Sequence, residues 1–168
     1  MRIPLPAVFG AGAVVVLGAA GLIRGAQPLP AASAGSSSPT APIVVAGAYV
    51  RAPAPPTDAA AAYFTVYNTT GTADRLETVV SGAGAETVLH VEAHGAMVVS
   101  AAGPVLPPHS TLVFKTGASH VMIEKLFGTV KAGQSVSLEL TFEKAGIVNV
   151  TAPVIALGAP APTTGGHS

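Results

Sequence analysis

The stretch from Ser135 to Phe142 decides the fold class, because it reads SVSLELTF and alternates strictly between polar and apolar residues. Successive side chains of a β-strand point to opposite faces, so this pattern puts all the apolar side chains on one face. Such alternation is typical of an antiparallel strand that is buried on one side and solvated on the other. The apolar residues concerned are Val136, Leu138, Leu140 and Phe142.

Similar short runs, rich in Val, Thr, Tyr, Phe and Ile, recur between Gly, Pro, Asn and Asp residues. No stretch after residue 42 carries the 3.6-residue apolar stripe of a helix. This spacing of short strands predicts an all-β domain, a Greek-key β-sandwich or barrel. The predicted strands are 43–50, 60–67, 75–81, 86–92, 96–101, 110–115, 119–125, 135–142 and 147–154.

The N-terminal segment, residues 1–34, is predicted to be a signal peptide or a membrane anchor. Arg2 is followed by an uncharged, largely apolar run that ends at Arg24, and Ala32-Ser33-Ala34 forms a small-x-small cleavage pattern. The chain has no Cys, so no cysteine in it can carry a lipid. We therefore expect an exported protein, located in the periplasm or on the outer face of the cytoplasmic membrane.

The composition of the chain excludes several functions and indicates where the folded domain begins and ends. The chain has 8 Lys and Arg against 8 Asp and Glu, so it lacks the basic surface of a nucleic-acid-binding protein. The absence of Cys excludes thiolate metal sites. Phosphate-binding loops and the motifs of common hydrolases are absent, and we expect no enzymatic activity. The predicted divisions are a linker at 35–42, a folded domain at 43–157 and a disordered tail at 158–168.

Potential metal ligands concentrate in residues 90–122, which hold four of the five His residues and both Met residues outside the N-terminal segment. In the predicted strand SHVMIEK, His120 and Met122 are two residues apart and share a face. His90 lies on the face opposite to Leu89. Imidazole and the soft, neutral thioether favour Cu(I), whereas a set without thiolate or carboxylate serves zinc and hard cations poorly.

The alternative is a non-catalytic β-sandwich interaction module in which the His/Met cluster is incidental. A lone His in a strand is most often a surface residue, and a lone Met usually fills a core. His94, between Ala93 and Gly95, is a further candidate ligand.

At these residues the chain resembles the PCuAC (periplasmic copper A-site chaperone) family of extracytoplasmic Cu(I) chaperones. The resemblance covers about residues 48–154, nearly the whole predicted domain. Its longest matches are AAAYFTVYNTTGTADRL (60–76) and LELTFEKAG (138–146). Between them lie His90, Gly95-Ala96-Met97, Leu106-Pro107-Pro108 and Ser119-His120-Val121-Met122.

The resemblance implies a cupredoxin-like fold and one Cu(I) per domain, held by His90, Met97, His120 and Met122. It further implies delivery of copper to a membrane or exported cuproprotein, such as a cytochrome c oxidase subunit or another copper chaperone. The sequence departs from the family pattern at Val91, where Met is frequent, and in the short segment between His90 and Met97. This departure makes His94 a candidate substitute or fifth ligand.

Overall fold

The computed structural model describes residues 42–54 and 56–163. The predicted signal or anchor segment and all but the last residue of the predicted linker lie outside these ranges. The described residues form ten strands and no helix: β1 (Ile43–Arg51), β2 (Ala60–Asn68), β3 (Asp74–Ser81), β4 (Gly84–Ala93), β5 (Ala96–Val99), β6 (Val105–Leu106), β7 (Thr111–Phe114), β8 (His120–Leu126), β9 (Ser135–Phe142) and β10 (Gly146–Ile155). Consequently, this part of the chain contains no helix long and apolar enough to cross a membrane.

The all-β prediction is confirmed, and each of the nine predicted strands has a counterpart within a few residues of its expected ends. Two details differ. The fifth strand stops at Val99, two residues early, because the chain turns there toward Gly103. The two-residue strand β6 was not predicted, since it is too short to show any alternation.

The strands form one continuous sheet in the order β5-β4-β8-β2-β1-β10-β9-β3-β6. The pairing of β1 with β10 is parallel, and the other pairings are antiparallel. Strand β3, near one end of this order, contacts β4, near the other end, and the Thr87 hydroxyl on β4 donates a hydrogen bond to the Val79 carbonyl on β3. The sheet therefore curls back on itself and encloses a single core.

Alternate residues of the strands fill that core, as the period of two requires. In β9 the side chains of Val136, Leu138, Leu140 and Phe142 are all buried, as the opening pattern predicts. The largest fully buried side chains from the other strands are Phe64, Leu76, Leu106 and Ile123.

Strands β7 and β8 pair with the same edge of β2, one after the other. Phe114 of β7 pairs with Phe64, and Val121 of β8 pairs with Ala62. The intervening residues 115–119 leave the sheet opposite Tyr63. This excursion, which we call the β7–β8 turn, ends directly at His120 and so positions the start of β8.

Gly103 is the glycine whose position the fold constrains most tightly. Its φ is 71°, in the left-handed region that favours glycine. A Cβ built there would lie 1.8 Å from the Leu76 carbonyl oxygen. The close approach lets the chain enter β6 beside β3, where the Leu76 amide donates a hydrogen bond to the Pro104 carbonyl at 3.1 Å.

We expect Gly103→Ala to lower the free energy of unfolding by about 3 kcal/mol, because strain at a positive φ and overpacking each cost roughly 1–3 kcal/mol. Urea denaturation measures the loss. Gly133→Ala is the matched control, since Gly133 also has a positive φ (91°) but has no atom within 4 Å of the added Cβ. Equal losses for the two variants would show that the contact with Leu76 contributes nothing.

Candidate metal site

The centre of the candidate site is the pair His90 and His120, which lie directly opposite each other on the antiparallel strands β4 and β8. Their neighbours Leu89 and Val121 are buried in the core. Because side chains alternate, both imidazoles project from the outer face of the sheet, where they are half-buried. Their ring centroids are 4.9 Å apart, and His90 Nδ1 lies 3.1 Å from His120 Nε2.

The hydrogen-bond network assigns the tautomer of each ring. His120 Nδ1 lies 2.9 Å from the carbonyl oxygen of Ala118, which can only accept, so Nδ1 carries the proton. The neutral His120 ring therefore has its lone pair on Nε2, the atom that faces His90. His90 Nδ1 then donates to this lone pair, so the hydrogen bond between the two rings runs from His90 to His120.

Two contacts fix the start of β8, from which His120 projects. The buried Ser119 side chain accepts a hydrogen bond from the Glu92 amide at 3.0 Å, just beyond the last ladder pair of β4 and β8. Tyr63 packs beside His120, with ring centroids 6.4 Å apart, and stacks on Tyr49 at 5.0 Å. Burial raises the pKa of Tyr63, and the hydrogen bond with Thr116 offsets only part of this rise. The phenol beside His120 therefore stays neutral.

Both candidate thioether ligands lie on the same face as the two imidazoles. Met122 pairs with Val88, two residues from His90 on β4, and is half-buried. Met97 pairs with Glu92, two residues from His90 in the other direction, and is 42 % exposed. Each Met is thus a diagonal neighbour of His90, about 7–8 Å away between backbones and within reach of a long, flexible side chain.

The register also places the two Met residues on opposite sides of the histidine pair. They are separated by four residues along the strand direction, or about 13 Å at roughly 3.3 Å per residue. The backbones of the two Met residues therefore flank the imidazoles at opposite ends of the candidate site.

His94 is not brought to this pair. His94 and Gly95 form the two-residue turn between β4 and β5, with φ values of 53° and 79°, the signature of a type I′ hairpin. Its backbone lies four residues beyond His90, about 13 Å along the strand, and its side chain is exposed. His109 lies in a separate turn, where its amide donates to the Thr70 carbonyl at 3.0 Å.

The donor set combines two imidazole nitrogens with two thioether sulfurs. Within residues 42–54 and 56–163, no three His, Cys, Asp or Glu side chains cluster closely enough to hold a metal ion. A metal at this site would therefore need Met as well as His. Neutral nitrogen and thioether ligands match a soft, singly charged cation rather than a hard divalent one.

The sequence did not reveal the partners that orient His120. The Ala118 carbonyl contacts His120 because the β7–β8 turn folds over the outer face of β2, where Thr116 in the turn contacts Tyr63, the ring that packs beside His120. The run AAAYFTV around Tyr63 is rich in apolar residues and predicts a strand. It does not indicate that Tyr63, on the outer face of this strand, is buried.

Comparison with known proteins places the chain in a family. The family model described as "Putative lipoprotein LpqE-like" matches residues 43–154. No curated protein matches the chain.

Solved structures of the same fold include two with bound copper. The copper-bound PCuAC domain from PmoF2 is 30 % identical, with a TM-score of 0.60, and the match covers 68 % of this chain and 93 % of that one. The Cu(I) form of DR1885 from Deinococcus radiodurans is 25 % identical, with a TM-score of 0.61 and coverages of 71 % and 82 %. The apo PCuAC domain from PmoF1 is 26 % identical, with a TM-score of 0.60 and coverages of 68 % and 94 %. The chain therefore belongs to the LpqE-like family, and its β-domain is of the PCuAC type.

Proposed function

We propose that this protein is an exported Cu(I) chaperone, in which His90, Met97, His120 and Met122 bind one Cu(I) per domain. The observation that carries the proposal is the contact between the two imidazoles, with a thioether on the same face at either side. Solved PCuAC domains that are 25–30 % identical to this chain carry copper, which supports the same cargo here.

The spacing of the imidazole nitrogens suits a bound metal. Two nitrogens that each lie about 2.0 Å from one metal, at a tetrahedral angle, are about 3.3 Å apart. In the protein His90 Nδ1 and His120 Nε2 are 3.1 Å apart. Cu(I) would thus take the place of the hydrogen between the two nitrogens, with a small widening of the gap. His90 Nδ1 would give its proton to water while its Nε2 takes one up, so the ring stays neutral.

The thioethers complete the coordination from opposite ends. Met122 lies on the same strand as His120, and Met97 lies on the edge strand β5. Neither sulfur is charged, so the bound ion keeps its single positive charge. Such a site binds Cu(I) without offering Cu(II) the oxygen or anionic ligands it prefers, which fits a carrier and not a redox enzyme.

The destination of the copper is a membrane or exported cuproprotein, with a cytochrome c oxidase subunit as the first candidate and another copper chaperone as the second. Export is supported by the signal-like N-terminal sequence and by the family's description as a lipoprotein. An exported carrier would meet such acceptors outside the cytoplasm.

We expect the protein to bind one equivalent of Cu(I) and to discriminate strongly against Zn²⁺, because two thioethers cannot replace the thiolate or carboxylate ligands that zinc prefers. Competition with a coloured Cu(I) chelator under anaerobic conditions gives the stoichiometry and affinity. A parallel competition with a zinc indicator gives the comparison. Zinc binding as tight as copper binding would contradict the proposed cargo.

We expect Met122→Leu to weaken Cu(I) binding by more than about tenfold. Replacing a residue that only hydrogen-bonds to a metal ligand already lowers metal affinity by roughly 10–100-fold, and loss of a ligand should cost at least as much. The exchange conserves volume, so the free energy of unfolding should change by less than about 1.5 kcal/mol. Leu126→Met, at the far end of the same strand and packed against the core, is the matched control and should leave copper affinity unchanged. Normal copper binding by Met122→Leu would identify Met122 as packing only.

We expect the copper-loaded protein to pass Cu(I) to the isolated apo copper domain of a cytochrome c oxidase subunit. After mixing, the two proteins are separated and the copper in each is measured. The control is the same acceptor without chaperone, at the free Cu(I) concentration that the copper-loaded chaperone maintains in solution. Copper that stays on the chaperone while the acceptor takes up free Cu(I) would exclude this acceptor.

A further inference from the structure

The orientation of His120 depends on a turn that the sheet itself does not hold. Residues 115–119 leave the sheet opposite Tyr63, and the turn closes on itself with two backbone hydrogen bonds. The Lys115 amide donates to the Ser119 carbonyl at 2.9 Å, and the Ala118 amide donates to the Lys115 carbonyl at 3.0 Å. Ala118, whose carbonyl accepts from His120 Nδ1, lies inside this turn.

Thr116, at the tip of the turn, ties it to the barrel. Arg51 Nε donates to Thr116 Oγ1 at 3.3 Å, and the Tyr49 hydroxyl lies 3.5 Å from the same oxygen. Gly117, the next residue, has a φ of 80°, in the left-handed region that favours glycine. The backbone next to Thr116 is therefore intrinsically flexible.

Arg51 is itself a rigid anchor. Its side chain is buried, and its guanidinium donates to the carbonyl oxygens of Ala156 at 3.2 Å and Ala159 at 2.9 Å, and to that of Leu157. Its Cζ lies 5.7 Å from the centre of the Tyr49 ring, which in turn stacks on Tyr63. Through Arg51 and Tyr49, Thr116 is therefore held in place by β1, by β2 and by the chain that follows β10.

We infer that Thr116 is a positioning residue for the metal site, which holds the β7–β8 turn so that the Ala118 carbonyl keeps the proton of His120 on Nδ1. This inference rests on the proposed function, because it assigns His120 Nε2 to Cu(I). With Nδ1–H bound to a carbonyl, Nε2 carries the lone pair and the ring cannot rotate away. Outer-shell hydrogen bonds of this kind fix the tautomer of metal-binding histidines and raise their basicity.

Thr116→Val tests the inference, because valine keeps the shape of threonine and removes the hydroxyl. Thr111→Val, at an exposed position of β7, is the matched control, and Thr116→Ser restores the hydroxyl. Two quantities are measured on the folded full-length protein: the ¹⁵N shifts of the His120 ring in the apo form at about pH 8, and the Cu(I) affinity by chelator competition. The ¹⁵N shifts report the tautomer without any metal.

We expect the wild type, Thr111→Val and Thr116→Ser to show the Nδ1–H tautomer and copper affinities within about twofold of one another. Thr116→Val should show a mixture of tautomers and an affinity lower by about tenfold, the lower end of what outer-shell changes cost. A purely structural role would lower the thermal midpoint of Thr116→Val and leave both the tautomer and the affinity of the folded protein unchanged.

Two results would overturn the inference: a wild-type His120 protonated on Nε2, or a Thr116→Val variant whose tautomer matches that of Thr111→Val. If Thr116→Val does not fold, the wild-type tautomer and the comparison of Thr116→Ser with Thr116→Ala decide. A wild type that binds no Cu(I) would refute the proposed function, while the tautomers would still show whether Thr116 orients His120.

Discussion

The antiparallel pairing of β4 with β8 is the constraint on which the site depends. It sets His90 directly opposite His120 and, in the same register, sets Met122 opposite Val88. The pairing is fixed by the core, because Leu89, Val121 and Ile123 are buried on the inner face of the two strands. A slip of one residue would turn the histidines inward and these apolar side chains outward, so the packing of the core also specifies the face of the proposed metal site.

Part of this arrangement could be predicted from local sequence. The spacing of His120 and Met122 places them on one face of a strand, and the apolar neighbours of His90 place it on an outer face. The opening stretch SVSLELTF likewise gives β9 and its four core residues correctly. These features depend only on the period of two within one strand. The contact between His90 and His120 depends on the register of two strands separated by 30 positions, which local pattern does not contain.

The features that could not be predicted lie in segments where apolar and polar residues do not alternate. Strand β6 has two residues, and the β7–β8 turn reads KTGAS, a sequence that indicates a turn but not the surface it covers. That turn buries Tyr63 on the outer face of β2, against the simple rule that side chains on the outer face of a sheet are exposed. The position of Met97 follows from the type I′ turn at His94 and Gly95, whose two-residue length sets Met97 opposite Glu92 and leaves His94 in the exposed turn.

The four proposed ligands differ in exposure, and the difference fits a carrier that must release its metal. His90, His120 and Met122 are half-buried between neighbouring strands, whereas Met97 is 42 % exposed on the edge strand β5. Residues on an edge strand have fewer backbone partners and open more readily than residues within a sheet. Of the four proposed ligands, Met97 is thus the one that an incoming donor atom would displace at least cost. The imidazoles, held by a carbonyl and by each other, would keep their geometry during such an exchange, because the metal-free protein already has the two nitrogens 3.1 Å apart.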